Sequence, residues 1–442
     1  MNLMDPRRSL ESLYRAALAA VDPRGAVHRY GDYLREVCRR DAFEKIYAVG
    51  FGKAAAPMAH ALYDELGDRI EAGLVITKYG HAGGDVPPPR IEILEAGHPI
   101  PDAAGIKGTA SMIGMVQPAT ATLVLCLISG GGSALLIHPR SGITLPDKQR
   151  ITDLLLKAGA SIGELNAVRK HLSQVKGGRL AERFFPSRIV SLILSDVIGD
   201  RLDTIASGPT APDGTTYRDA LAILEKYALM ASAPAPVLDM LRKGALGEMP
   251  ETPKEGDSVF AAVENIIIAG NRIALAAAQD EAKNLGFKAP IIASALEGEA
   301  SVAGRWLAQR AIEIINETSP EKDRPLCLIS GGETTVTVDG DGLGGRNLEL
   351  ALSFAMAIEG REGITLLSAG TDGTDGPTDA AGAIVDGQTV ARAKGMGIDP
   401  AEYLKRHDSY NFFRKVGGLL ITGPTGTNVM DIQLILITPG ST

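Results

Sequence analysis

LCLISGGGSALL, at residues 125–136, is an apolar run that ends in a serine and three glycines. A second run of this kind, LCLISGGETTVT, occupies residues 326–337 and continues with Glu333 after its glycines. Short apolar runs bounded by glycine are typical of buried strands. Glycine also lets the backbone turn sharply where such a strand ends. The two stretches therefore predict two sheets, each with a glycine-rich turn after a buried strand.

Strand-like runs alternate with helical patterns along both halves of the chain. In the first half this alternation predicts βαβ units, and so a doubly wound, Rossmann-like and mostly parallel sheet. A polar stretch with two prolines, residues 243–258, marks the expected boundary and gives domains at residues 1–245 and 246–442. In the second domain TTVTVD is predicted as one strand, and the last two apolar runs resemble a hairpin, which favours a mixed-sheet α/β domain. The sequence leaves open whether the last strand returns to the first domain.

The composition excludes several classes of protein. The 45 Lys and Arg against 53 Asp and Glu give a net charge of −8, and no basic run marks a surface for nucleic acid or a membrane. Cys38, Cys126 and Cys327 are far apart and lack CxxC spacing, which indicates reduced thiols and a cytoplasmic protein. The charged N-terminal stretch predicts a helix capped by Asp5 rather than a signal peptide. Residues 108–139 carry no Asp, Glu, Lys or Arg, but their prolines and glycines favour a buried strand over a membrane span.

The turn after the first quoted strand could hold an anion. We refer to this turn, residues 129–133, as the glycine corner. Its glycines let several backbone N–H groups approach one phosphate, although a tight turn without a ligand is an equal alternative. The candidate phosphate-binding residues are Ser129, Gly130, Gly131, Gly132 and Ser133.

A second corner, VGFGKAA at residues 49–55, has the G-x-G-x-x-A outline of a dinucleotide site and raises the hypothesis of a dehydrogenase. Such a site expects an acid at the end of the next strand, where GLVITK ends in Lys78 instead. Lys53 stands at the start of a helix, where the helix dipole disfavours a cation unless an anion shares the site. A phosphate or carboxylate ligand therefore explains Lys53 better than NAD does, with a solvated lysine as the alternative. The sequence contains no P-loop motif.

Several acids and one arginine follow other strands. Asp196, after RIVSLILS, could hold Mg²⁺ or cap a turn. Arg346 begins a helix after two glycines, and its planar fork suits a carboxylate or phosphate. In SAGTDGTDGPTDAAGA, Asp372, Asp375 and Asp379 could hold a divalent ion or take a proton from a hydroxyl, although Asp also populates plain turns.

Two further stretches carry weaker signals. Arg169, Lys170 and Lys176 surround a helix end and could line an anionic cleft, but a solvated basic face is the favoured interpretation. His98 follows a strand in GHPIPD, and as a histidine without evident partners it is interpreted as a turn residue.

Seven stretches together resemble one family, the glycerate 2-kinases whose C-terminal part is called the MOFRL domain. The likeness extends over nearly the whole chain in the same order, through YAVGFGKAA, LISGGGSALL, LNAVRKHLSQVKGGRLA, SDVIGDRLDTIASGPTAPD, CLISGGETTVTV, GGRNLELAL and SAGTDGTDGPTDAAGA. The resemblance implies an ATP-dependent kinase that converts D-glycerate to 2-phosphoglycerate, with two α/β domains and the active cleft between them. It also matches Lys53 and Arg346 to the basic residues thought to act in that family. Some relatives are labelled hydroxypyruvate reductase, which is the dehydrogenase alternative.

Phosphoryl transfer requires positioning and neutralisation of charge, and these residues are suited to both. The glycine corner would cradle the ATP phosphates and Asp196 would help to hold Mg²⁺. Lys53 and Arg346 would neutralise the carboxylate of glycerate and the transferring phosphoryl group, and Asp372 would accept the hydroxyl proton. The expected partners are D-glycerate and a nucleotide, without nucleic acid or membrane. The oligomeric state is left open, a homodimer included, and a non-catalytic metabolite-binding protein is the third hypothesis.

Overall fold

The computed structural model describes residues 5–41, 43–316 and 325–438. The chain divides into two compact units. Pro23–Ile268 form the first, called here the parallel-sheet unit. The described parts of Met1–Asp22 and Ala269–Thr442 form the second, called here the mixed-sheet unit.

The strands and helices follow the apolar periodicity of the sequence. The strands are β1 (Lys45–Phe51), β2 (Ala72–Lys78), β3 (Ile91–Ala96), β4 (Thr122–Ile128), β5 (Arg188–Leu194), β6 (Val263–Ala269), β7 (Ile291–Leu296), β8 (Leu326–Gly332), β9 (Ile364–Gly370), β10 (Gly382–Asp386), β11 (Leu419–Leu420) and β12 (Asp431–Ile437). The helices are α1 (Pro6–Ala20), α2 (Pro23–His28), α3 (Gly31–Arg40), α4 (Ala55–Leu66), α5 (Ala103–Met115), α6 (Gly132–Leu135), α7 (Leu145–Lys157), α8 (Ile162–His171), α9 (Arg179–Phe184), α10 (Tyr217–Lys226), α11 (Ala235–Ala245), α12 (Asn271–Asn284), α13 (Ala300–Asn316), α14 (Arg346–Ala357), α15 (Thr389–Gly395), α16 (Pro400–Lys405) and α17 (Ser409–Val416). As predicted, Asp5 caps α1, since its side chain accepts the N–H of Arg7.

The parallel-sheet unit has the strand order of a dinucleotide-binding fold. Its described sheet runs β3-β2-β1-β4-β5-β6, and the pairs from β3 to β5 are all parallel. All residues of β4 are buried, which explains why its sequence is apolar from Leu123 to Ile128. The strand order reverses between β1 and β4, and ligands of such sheets bind outside the carboxyl ends of the strands at this point. The predicted fold class is confirmed.

The mixed-sheet unit has a sheet of the predicted mixed kind, with the order β11-β10-β9-β12-β8-β7 among the described strands. The pair β7 and β8 is parallel, while β12 is antiparallel to both β8 and β9. The expected terminal hairpin is wrong, because β11 pairs with β10 at the edge and β12 lies in the centre. Every residue of β12 is buried, so its largely apolar sequence, which carries Asp431 and Gln433 among five apolar residues, belongs to a central strand of this sheet.

The two units divide elsewhere than the sequence predicts. The apolar run NIIIAG, expected in the second domain, lies in β6 and neighbours β5, so the division falls after Ile268 instead of Ala245. The polar stretch before β6 is bonded into the parallel-sheet unit, since Glu251 accepts the N–H of Tyr217 at 3.0 Å. The N-terminal helix α1 belongs to the mixed-sheet unit, where the hydroxyl of Tyr14 donates to the carbonyl of Gly370 at 2.6 Å.

Two smaller expectations can be compared directly with the structure. TTVTVD forms no strand and contributes only an isolated bridge from Thr335 to Glu299, so the prediction of a strand there is wrong. The uncharged stretch 108–139 contains the end of α5, then β4 and α6. Among the residues described, no helix is both long and apolar enough to cross a membrane.

Candidate functional site

Two glycine-rich turns meet at the reversal point of the parallel sheet. Lys53 follows β1, and the glycine corner follows β4. The backbone N–H of Lys53 donates to the carbonyl of Gly130 at 2.9 Å. The N–H of Ala54 donates to Oγ of Ser129 at 3.0 Å. These bonds fix Lys53 against the glycine corner, at the place where a doubly wound sheet binds its ligand.

The glycines of the corner allow two functional side chains to approach the backbone. A Cβ atom at Gly130 would overlap the carboxylate of Asp196. At Gly131, where φ is +79°, a Cβ atom would lie 2.8 Å from Nε2 of His98. The absence of side chains at these two positions therefore brings an acid and an imidazole to the corner. His98, interpreted from sequence as a turn residue, is part of this arrangement.

Asp196 is the acid that this unit presents beside Lys53. It follows β5 and is partly buried. Burial raises the pKa of Asp196, and the positive charge of Lys53 opposes that effect. The described residues contain no cluster of three or more metal-ligating side chains. A single carboxylate fits Mg²⁺ in the way that many kinases hold it, with phosphate oxygens and water as the remaining ligands.

Buried cations lie behind the glycine corner. Lys176 is buried and donates from Nζ to the carbonyl of Ser133 at 2.7 Å and to that of Leu136 at 3.2 Å. Burial lowers the pKa of Lys176 well below its usual value, and neighbouring cations lower it further. Lys170 is also buried and pairs with Asp213 at 3.2 Å. The prediction of a solvated basic face is therefore wrong for both lysines, because α8 and the segment after it pack inside the unit.

The mixed-sheet unit places Arg346 in a cluster of acids. Nε and Nη2 of Arg346 donate to the two carboxylate oxygens of Asp431 at 2.6 and 2.9 Å, and Nη1 lies 2.8 Å from Glu333. Asp431 is fully buried at the start of β12, whereas Glu333 follows β8 and is partly exposed. Burial alone would lower the pKa of Arg346, but hydrogen bonding and charge from Asp431 outweigh it and raise that pKa. The guanidinium is thus charged and rigidly oriented.

Comparison with known proteins identifies the family of this chain. Residues 9–242 match a model described as a domain of unknown function, DUF4147, and residues 326–431 match the MOFRL family. The D-glycerate 2-kinase of Thermotoga maritima is 50% identical over 91% of this chain and 93% of its own. This chain belongs to the DUF4147–MOFRL glycerate kinase family.

Some relatives in this family carry another name, and crystal structures of others have been solved. A putative hydroxypyruvate reductase of Agrobacterium vitis is 43% identical, over 99% of this chain and 95% of its own. A crystal structure of glycerate kinase from Thermotoga maritima superposes with a TM-score of 0.87 at 48% identity, covering 98% of this chain and 99% of that one. The likeness to the glycerate kinase family therefore holds for both units, in sequence and in fold.

The three aspartates in the loop after β9 differ in burial and in their hydrogen-bond partners. Asp375 is buried and accepts the N–H groups of Asn347 and Leu348 at 3.1 and 2.8 Å, so it caps the start of α14. Asp379 is exposed and accepts the hydroxyl of Tyr410 at 2.7 Å. Asp372 is half-buried, and its Oδ1 accepts the N–H and the hydroxyl of Thr374. The structure thus assigns supporting contacts to Asp375 and Asp379.

Two residues of this glycerate kinase chain escaped the sequence analysis. Asp431 could have been recognised, because an acid that begins a buried strand of seven residues must have a partner. Lys148 gave no signal, since it lies in LPDKQRITDLLLK, where a lysine is normally on the exposed face of the helix. In the structure Lys148 is buried on α7.

Proposed function

We propose that this protein is a glycerate 2-kinase, which transfers the terminal phosphoryl group of ATP to the 2-hydroxyl of D-glycerate. The family relationship supports this activity, since a relative 50% identical is named D-glycerate 2-kinase. The observation that carries the proposal is the convergence of Lys53, the glycine corner and Asp196 at the reversal point of the sheet. A cation, a flexible turn and a carboxylate are suited to phosphates and their metal ion.

In this proposal the residues of the parallel-sheet unit bind the phosphates. The backbone of residues 130–132 and the hydroxyls of Ser129 and Ser133 face the phosphate chain, and the ammonium group of Lys53 neutralises negative charge on it. Asp196 would hold Mg²⁺, which when bound shields the negative charge of the phosphate oxygens. Burial raises the pKa of Asp196, and a bound cation would favour its ionised form.

In the mixed-sheet unit, Arg346 and Asp372 act on the acceptor. Because Asp431 occupies Nε and Nη2 of Arg346, the side available to an anion is Nη1, where Glu333 now sits. The carboxylate of glycerate would replace that of Glu333. Within the described residues the hydrogen bonds of the Asp372 side chain use only Oδ1, so Oδ2 is left to accept the proton of the hydroxyl that attacks.

The second candidate is an NAD(P)H-dependent hydroxypyruvate reductase. The strand order of the parallel sheet and the G-x-G-x-x-A corner favour it. Against it, β2 ends at Lys78, where a dinucleotide site requires an acid for the ribose hydroxyls.

We also propose a cytoplasmic location, since the cysteines are free and buried.

The decisive assay feeds the product directly to enolase. Purified protein is incubated with D-glycerate, ATP and Mg²⁺, in the absence of phosphoglycerate mutase, and a parallel reaction follows NAD(P)H oxidation by hydroxypyruvate. We expect immediate enolase turnover and no oxidation of NAD(P)H. Turnover only after the mutase is added would mean transfer to the 3-hydroxyl. Oxidation of NAD(P)H without use of ATP would replace the kinase by the reductase.

A further inference from the structure

A cavity of about 620 Å³ opens beside the glycine corner in the parallel-sheet unit. Its walls come from the loop after β3, from the glycine corner with α6, and from α7 and α8. Gly131 and Ser133 form the part of the lining that belongs to the corner. The sequence analysis places a phosphate at the glycine corner but assigns no ligand to the rest of this space.

Three cations line the cavity without an acidic partner; they are Lys148, Arg169 and Lys176, called here the cation cluster. No ion pair joins any of the three to a residue in the part of the chain that the structure describes. Lys148 is buried, and among the described residues its Nζ donates a hydrogen bond only to the carbonyl of Leu172, at 3.4 Å. Burial and the charge of Arg169 lower the pKa of Lys148 to about 7. Buried cations without a counter-ion are costly, so the cluster is arranged for an anion supplied from outside.

Apolar side chains form much of the remaining wall of the cavity, beside the polar residues His98, Gln149 and Thr152. Ile100 and Leu156 stand at its rim with 69% and 58% of their surfaces exposed, and Pro99, Pro101 and Ile137 continue the apolar lining. The acid at this rim, Asp153, is paired with Lys157 at 2.9 Å and leaves the cavity without a free negative charge. A volume of about 620 Å³ suits a drug-sized ligand and exceeds the needs of a three-carbon acid.

We infer that this cavity binds the nucleoside triphosphate, with the base against Ile100 and Leu156 and the polyphosphate directed by the cation cluster toward the glycine corner. The inference rests on the proposed kinase function and assigns the nucleotide to one side of the corner. The nucleotide-binding residues are then the three cations of the cation cluster and the residues of the apolar wall. They lie on α7, on α8 and in the segments around them.

Leu156→Glu tests the inference at the rim, where a new negative charge meets the polyphosphate and the apolar wall is lost. The matched control is Ile162→Glu, since Ile162 is 61% exposed, lies at the start of α8 and does not line the cavity. ATP binding is measured by calorimetry with Mg²⁺, and KM values are measured for ATP and D-glycerate. We expect Leu156→Glu to weaken ATP binding at least tenfold with the KM for D-glycerate unchanged, and Ile162→Glu to match the parent protein.

A second variant and two competitors make the outcomes distinct. Lys148→Met removes one charge of the cluster and should weaken inorganic triphosphate and ATP alike, but not adenosine. An unchanged ATP affinity with a raised KM for D-glycerate would assign the cavity to the acid and overturn the inference, and so would unchanged values for both ligands. If the parent protein forms no 2-phosphoglycerate but Leu156→Glu still weakens ATP binding, the cavity assignment stands and the proposed function fails.

Discussion

Arg346 is held by two carboxylates that differ in burial. Asp431 is fully buried and occupies two guanidinium nitrogens, whereas the side chain of Glu333 keeps 43% of its surface exposed. An exposed ion pair is weak, and breaking a buried pair by removing one partner is costly. Asp431 therefore orients Arg346, and Glu333 is the partner that an incoming anion can replace.

The substitution Arg346→Ala should affect both stability and activity. It leaves Asp431 buried without a cation, which costs roughly 3–5 kcal/mol of unfolding free energy, and it removes the charge that faces the acceptor. The double variant Arg346→Met with Asp431→Leu should recover most of the stability, which urea unfolding would measure, and none of the turnover. Turnover restored in the double variant would remove Arg346 from the mechanism.

Lys53 is expected to be important for catalysis but not for folding. No described residue forms a hydrogen bond or an ion pair with its ammonium group, and the side chain is only half-buried. Lys53→Met should therefore lower kcat by about 100- to 1,000-fold, as loss of one positioned donor does, with little change in the unfolding transition. The control is Lys243→Met, which replaces a lysine that pairs with Asp239 on the surface of α11. Near-normal kcat in a folded Lys53→Met protein would contradict the proposal.

At the scale of single elements, the glycine corner shows why a run of glycines follows β4. The sequence left a phosphate cradle and a plain tight turn equally open. In the structure Gly130 is packed against Asp196 and Gly131 against His98, so the glycines first of all admit neighbouring side chains. The geometry of the corner therefore depends on the loops that follow β3 and β5.

Gly130→Ala should act through Asp196. The added Cβ overlaps the Asp196 carboxylate and must displace it, so kcat should fall by about tenfold or more. If the effect is transmitted by Asp196, then adding Gly130→Ala to Asp196→Ala should cause little further loss, since coupled sites are not additive. Initial rates of the single variants and the double variant measure this coupling. Independent effects that multiply in the double variant would show that Gly130 acts in another way.

The helices and strands could be predicted from the sequence better than the contacts between them. The apolar runs identified β1, β4, β5 and β8, and their glycines identified the corners, because these signals are local. The pairing of Arg346 with Asp431 joins residues 85 positions apart, and the burial of Lys148 depends on which helices cover α7. The central place of β12 is likewise set by pairing with β8 and β9. Such long-range packing leaves no periodic mark in the sequence.

At the scale of the whole molecule, the cation cluster should reduce the stability of the unliganded protein. The pKa of Lys148 is lowered by burial from 10.5 to about 7. Between these values the unfolded chain binds more protons than the native protein, so this lysine makes the native state less stable as the pH falls toward 7. Lys148→Met should therefore raise the unfolding free energy at neutral pH by up to about 4 kcal/mol, at the expense of nucleotide binding.

The sign of this effect can be checked by changing the pH. The parent protein should gain stability relative to Lys148→Met between pH 7 and about pH 9.5, because in this range the unfolded chain keeps the proton of Lys148 and the native protein has released it. The gap between the two proteins should therefore narrow as the pH rises. Urea unfolding at both pH values, without nucleotide, measures the gap. A gap that stays constant with pH, or a parent protein more stable than the variant at neutral pH, would refute a lowered pKa for Lys148.

The division of the chain has a consequence for its biosynthesis. Because α1 belongs with residues after 268, the chain crosses between the units twice, at residues 22–23 and 268–269, and the parallel-sheet unit is an insertion in the other. On the ribosome this inserted unit is complete early, whereas the mixed sheet lacks its central strand until β12 emerges. We expect the nascent chain to carry a folded parallel-sheet unit while α1, synthesised before that unit, waits for partners that are synthesised after residue 268.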